Sequence, residues 1–154
     1  MKNPVYTARA RVTGGRSNGR GRTPGGEVDL QLRLPQELGG DGDGGNPEQL
    51  FAIGYAGCFE AAMTVAAQRV GIPVDQVTDV AIDATVMLIA REDRTFKLGV
   101  ELDVELPSIA DRAKAVELVH ATHRLCPYSN AIRGNVDVAT SVNGLALEKE
   151  AMAG

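Results

Sequence analysis

Two cysteines, Cys58 and Cys126, are the residues of this 154-residue chain best suited to covalent chemistry. A thiolate is the nucleophile and metal ligand among cysteine forms, and a free thiol with a pKa near ~8.5 is mostly protonated at neutral pH. Burial raises that value further. A permanent disulfide is not expected in a reducing compartment, so the pair reads as catalytic, as metal-binding, or as small core residues. Cys58 sits in Gly54-Tyr55-Ala56-Gly57-Cys58-Phe59, in the middle of a long apolar stretch. A helix dipole acts only over the first turn and does not reach it. A reactive Cys58 therefore needs a cation brought in by tertiary contact. At about 4 Å and an effective dielectric of ~20, such a contact is worth roughly 4 kcal/mol before desolvation. Arginine fits because it keeps its charge. The candidates are Arg16, Arg20, Arg22, Arg124 and Arg133, and Glu48 could hold such an arginine by a two-pronged carboxylate contact.

Metal binding is the competing chemistry. His120, His123 and Cys126 are spaced by three, and Cys58 could be a fourth ligand. Helix-borne histidine pairs in zinc enzymes are usually four apart, and no second cysteine lies near Cys58. The plainer reading of the histidines is an exposed or capping role near a helix C-terminus. A non-enzymatic metal- or ligand-binding domain with buried thiols is thus the alternative to an enzyme.

These residues need a frame. Tyr6, Ala8, Ala10 and Val12 alternate with polar residues, as do Val28, Leu30, Leu32 and Leu34, which gives two strands joined by a glycine-rich loop over 14–26. A second glycine-rich stretch, 39–45, leads to a long helix. Asn46 is its N-cap, Pro47 its first residue and Gln49 the partner of a capping box. The helix runs to about Val70, where Gly71 stops it, and its apolar residues on nearly every side make it central. Val80–Ala90 and Phe96–Leu106 are further strands, with a charged turn at Arg91–Arg94. Ser108 and Asp111 have capping-box spacing before a second helix. Pro127 ends or kinks that helix at Cys126, and a short turn restarts beyond it. Val136–Val142 is the last strand, with a loosely held tail after Asn143. The order ββαββαβ is an α+β domain, one domain over residues 1–154.

Composition excludes several classes. The net charge of −4 argues against binding nucleic acid or docking on an anionic membrane. Aromatic residues are only 4%, too few for a base-stacking platform. Leu50–Ala67 approaches the length of a membrane span, but Glu60 in its middle favours a buried helix. The first nine residues carry no apolar run of signal-peptide length, so a cytoplasmic location is expected.

Two longer motifs add a family resemblance. One is Asn46-Pro47-Glu48-Gln49-Leu50-Phe51-Ala52 with Gly54-Tyr55 and Cys58-Phe59. The other is His123-Arg124-Leu125-Cys126-Pro127-Tyr128-Ser129-Asn130-Ala131 with Arg133-Gly134-Asn135. Thr13-Gly14-Gly15-Arg16 and Leu38-Gly39-Gly40 also fit. Over about residues 5–142 the chain resembles the organic hydroperoxide resistance branch of the Ohr/OsmC family. The resemblance implies an OsmC-like fold, with antiparallel sheets around two long central helices in an intertwined homodimer. It implies a peroxidase of organic hydroperoxides, in which Cys58 is the peroxidatic and Cys126 the resolving cysteine, Arg16 activates the thiolate and Glu48 orients Arg16. It also implies no metal, flavin or haem, with a dihydrolipoyl group on a lipoylated protein as reductant. The apolar helix residues Leu50, Phe51, Tyr55 and Phe59 are expected to favour alkyl or lipid hydroperoxides over hydrogen peroxide.

Overall fold

The computed structural model describes residues 3–15 and 17–148. It comprises two compact units, residues 1–50 and 51–154. The first unit is a three-stranded antiparallel sheet of β1 (Arg11–Thr13), β2 (Gly19–Arg22) and β3 (Asp29–Leu32). β2 lies inside the stretch expected to be only loop. Its glycines, Gly19 and Gly21, give no apolar period, yet they pair with Leu32 and Leu30 across the ladder. The long first strand expected from Tyr6 is paired only from Arg11 onward. Arg11, Arg20 and Arg22 share one face of this sheet with Asp29, because partners in register point the same way.

The helix α1 spans Pro47–Val70. It begins as the sequence predicts. Gln49 N donates to Asn46 Oδ1 at 2.9 Å, and Asn46 N donates to Gln49 Oε1 at 3.0 Å, a reciprocal capping box. It ends as predicted at Gly71, whose φ of 74° is the left-handed conformation that glycine adopts without strain. Its buried residues, Tyr55, Phe59, Met63, Ala66 and Ala67, form one helical stripe. The opposite side is open and mixed: Ile53 is 71% and Val65 45% exposed, beside exposed Glu60, Thr64 and Gln68. In the single chain α1 is therefore covered on one side and not all round.

The second unit is built on a four-stranded sheet of β4 (Ala81–Ala90), β5 (Phe96–Glu105), β6 (Asp137–Val142) and β7 (Leu145–Ala146), in that order. β5 carries the clearest alternation, with Val100, Leu102 and Val104 buried and Glu101 and Glu105 exposed. β4–β5 and β6–β7 are antiparallel, whereas β5–β6 is parallel. A parallel pair needs a crossover, and the helices α2 (Arg112–Leu125) and α3 (Pro127–Ile132) supply it. Of the tail expected to be loosely held after Asn143, residues 145–147 are paired: β7 pairs with β6 and Leu147 N donates to Thr140 O at 2.8 Å, while residues 149–154 lie outside the described residues.

Asp111 alone caps α2, its carboxylate accepting from the N–H groups of Ala113 and Lys114. The expected Ser108–Asp111 box does not form, because Ser108 Oγ donates to Asp79 instead, at 2.8 Å. Ala115, Leu118, Val119 and Thr122 make the buried stripe of α2. Ala115, Leu118 and Val119, the α1 stripe and the inner face of β5 belong to one hydrophobic core, which also contains Cys126.

Candidate active site

Cys126 occupies an elbow between two helices. Pro127 has no N–H to continue α2, and it pushes the residue before it into extended geometry. Cys126 accordingly has φ −61° and ψ 120°, serving as C-cap of α2 and N-cap of α3. Its N–H still donates to Thr122 O at 2.8 Å, and its carbonyl accepts from Asn130 N at 3.0 Å. Two side chains tie the elbow shut. Arg133 Nη2 donates to His123 O at 3.0 Å, and Asn130 Nδ2 donates to Arg124 O at 3.1 Å.

The elbow brings Cys126 to Cys58, which is mid-helix in α1. Cys126 Sγ donates to Cys58 Sγ at 3.6 Å, and both are free thiols. Cys126 is fully buried and Cys58 is partly exposed. Covalent closure requires the sulfurs to approach to about 2.05 Å, a movement of about 1.5 Å that side-chain rotation and a small shift of the elbow can supply. The surroundings do not by themselves favour the anion. Burial pushes the Cys58 thiol up from its ordinary value; the Tyr128 backbone opposes this, and the adjacent Cys126 adds to the rise.

Aromatic side chains of α1 and α3 pack together beside the cysteine-bearing elements. Tyr128 stacks on Tyr55 with ring centroids 6.0 Å apart, and Phe51 meets both rings at 6.0 Å. Gly54 makes this packing possible. A Cβ there would lie 3.0 Å from Tyr128 Oη and 3.3 Å from its ring. Tyr55 and Phe59 are wholly buried, so these two expected substrate-facing residues are core residues, and their apolar character follows from packing. Phe51 is partly buried and Leu50 is 37% exposed.

A hydroxyl–imidazole chain, buried at Tyr55 and Ser129 and partly buried at His123 and Thr140, adjoins the elbow, and sequence reasoning missed it. Tyr55 Oη lies 2.9 Å from Ser129 Oγ; His123 Nδ1 lies 3.1 Å from the same oxygen, and His123 Nε2 lies 3.1 Å from Thr140 Oγ1. The imidazole packs edge-on against Phe59 at 4.7 Å. His123 is thus neither an exposed residue nor a helix cap. Burial, then the charges of His120 and Arg133, bring its pKa down to about 4. Both ring nitrogens face hydroxyls and neither faces sulfur. Among the described residues no three His, Cys, Asp or Glu side chains are grouped to hold a metal.

The other expected site residues fall elsewhere. Arg16 lies outside the described residues. Glu48 stands in the first turn of α1 and belongs to the N-terminal unit. Arg20, an alternative source of the cation, is committed to Asp29 in a two-pronged ion pair with contacts of 2.7 and 2.6 Å. Arg133 faces the cavity of about 670 Å³ that also exposes His120, His123 and Ser129.

Comparison with known proteins places this geometry in a family. The model of the family described as OsmC-like protein matches residues 40–141, a span that includes Glu48, Cys58 and Cys126. The organic hydroperoxide resistance protein of Xanthomonas axonopodis pv. citri is 46% identical over 141 residues, covering 90% of this chain and 94% of that protein. The organic hydroperoxide resistance protein OhrB of Bacillus subtilis is 42% identical over 135 residues, with coverage of 87% and 95%. Among solved structures, an organic hydroperoxide resistance protein from Legionella pneumophila superposes with a TM-score of 0.84 at 46% identity, covering 91% of this chain and 98% of that one. The chain belongs to the OsmC-like family, within its organic hydroperoxide resistance branch.

Proposed function

We propose that this protein is a thiol peroxidase that reduces organic hydroperoxides to alcohols. The observation that carries the reading is the 3.6 Å approach of Cys58 and Cys126, each inside one of the two long motifs. Relatives named for organic hydroperoxide resistance support the substrate class. The Cys58 thiolate attacks the distal peroxide oxygen, the O–O bond breaks, and the alkoxide leaves as alcohol after taking a proton. Cys58 is left as sulfenic acid. Cys126 then attacks the Cys58 sulfur. The S–O bond breaks, and hydroxide departs as water with the proton of the Cys126 thiol. An external dithiol reopens the Cys58–Cys126 bond by exchange and is itself oxidised to a disulfide.

The burial that raises the Cys58 thiol defines what the rest of the site must supply. A guanidinium near the sulfur would stabilise the thiolate and the charge developing on the peroxide oxygens. Arg16, oriented by Glu48, is our assignment for that role. It rests on the family motif and on the engagement of Arg20 with Asp29. The reductant we assign is a dihydrolipoyl group on a partner protein, in line with the family resemblance, and the reaction calls for no bound cofactor. The exposed Ile53 and Val65 on the open side of α1 support pairing with a second copy of the chain.

The test is a steady-state assay with an alkyl hydroperoxide and dihydrolipoamide. Cys58→Ser should reduce consumption to the uncatalysed rate. Cys126→Ser should permit one oxidation of Cys58 and then stall. Normal turnover by Cys58→Ser would overturn the mechanism.

A further inference from the structure

We propose that Ser129 and His123, anchored by Tyr55 and Thr140, are positioning residues that hold Cys126 for disulfide closure and leave the first attack on peroxide untouched. The inference rests on the peroxidase reading above and assigns the part of the site that serves its second step. Ser129 is on α3, three residues beyond Cys126, and is nearly fully buried. Its hydroxyl meets Tyr55 of α1 and His123 of α2, and His123 in turn meets Thr140 of β6. One short helix is thereby fastened to three other elements of the same unit.

The hydrogen-bond inventory shows why this is a brace and not a proton relay. In one consistent arrangement Tyr55 O–H donates to Ser129, Ser129 O–H donates to His123 Nδ1, and His123 Nε2–H donates to Thr140. Each donor is used once and the imidazole is neutral. An imidazolium would donate on both sides, turning the Ser129 hydroxyl hydrogen towards Tyr55 Oη and leaving the Tyr55 hydroxyl hydrogen without an acceptor among the described contacts. No member reaches a sulfur by hydrogen bond among the described contacts. Resolution needs no base from this network either, because the departing hydroxide takes the Cys126 proton. What the step does need is geometry, since a buried thiol must arrive at the sulfenic sulfur before a second peroxide does. If it is late, Cys58 goes on to sulfinic acid.

The experiment uses the full-length reduced protein, titrated with tert-butyl hydroperoxide without reductant. Two quantities are read: the rate of the first Cys58 oxidation, and the ratio of sulfinic Cys58 to Cys58–Cys126 disulfide by intact mass. Ser129→Ala and His123→Gln should raise that ratio by about tenfold, the factor matching about 1.4 kcal/mol, the scale of one buried hydrogen bond. The first oxidation should stay within about twofold of the parent, as expected if no transition-state contact is lost. Ser129→Thr, which keeps the hydroxyl, should restore the parental ratio. Thr140→Val removes only the outermost anchor, keeps the side-chain shape and should shift the ratio in the same direction by less, which covers the case of a variant that does not fold. An unchanged ratio in folded variants, or a first oxidation that falls in step with resolution, would overturn the proposal. If the parent itself forms no disulfide, the peroxidase reading fails instead.

Discussion

The arginine-bearing face of the N-terminal sheet and the cysteine elbow of the C-terminal unit handle polar groups in opposite ways. On the sheet, Arg20 grips Asp29 in a well-formed two-pronged pair, yet both side chains stand in water, 61% and 36% exposed. Solvent already satisfies such groups, so the pair adds little to stability. At the elbow, Tyr55 and Ser129 are buried, His123 and Thr140 are partly buried, and the four are mutually satisfied; none of the described buried side-chain polar atoms lacks a partner. There the loss of one partner strands the next. Charge strength and structural consequence are thus decoupled, and neutral hydroxyls matter more to this fold than a short ion pair.

Substitutions can break or sharpen that contrast. The largest effect on stability should come from Phe59→Ala, which removes a buried ring from the core and from the edge of the His123 imidazole. It should cost about 3–5 kcal/mol in chemical denaturation. Next is pH. His123 has a pKa lowered to about 4 in the fold, against 6.5 for the ordinary side chain. Between these values the unfolded chain binds a proton that the folded chain refuses. Stability therefore falls as pH drops from about 6.5 towards 4, by up to about 3 kcal/mol from this residue. The groups that press on it are His120 and Arg133. His123→Gln should flatten that limb of the stability curve, read by urea melts at fixed pH values. Tyr55→Phe keeps the ring and deletes one hydroxyl, so it should cost about 1 kcal/mol, since Ser129 retains His123. Asp29→Asn should leave the melting temperature unchanged within error. A large loss there would erase the contrast between the two regions.

The features legible from sequence are those encoded by near neighbours. Asn46, Pro47 and Gln49 specify the start of α1 within four residues, and Gly71 its end. Pro127 likewise specifies the break at Cys126. The strand Gly19–Arg22 escaped because alternating glycine and arginine have no apolar face, and only cross-strand partners make it a strand. The hydroxyl chain escaped for a related reason. Tyr55 and Ser129 are 74 residues apart, and His123 and Thr140 are 17 apart, so no local period marks them. The pairing of Cys58 with Cys126 is legible through motif resemblance and not through spacing, and in the fold the two sulfurs lie 3.6 Å apart.

The central claim is that these two sulfurs form one redox unit. The most direct measurement is intact mass with thiol counting after one equivalent of alkyl hydroperoxide is added to the reduced protein. The account predicts simultaneous loss of both thiols and of two hydrogens, with the bond mapped to Cys58 and Cys126. Oxygen retained on Cys58 beside an intact Cys126 thiol in the parent protein would contradict it.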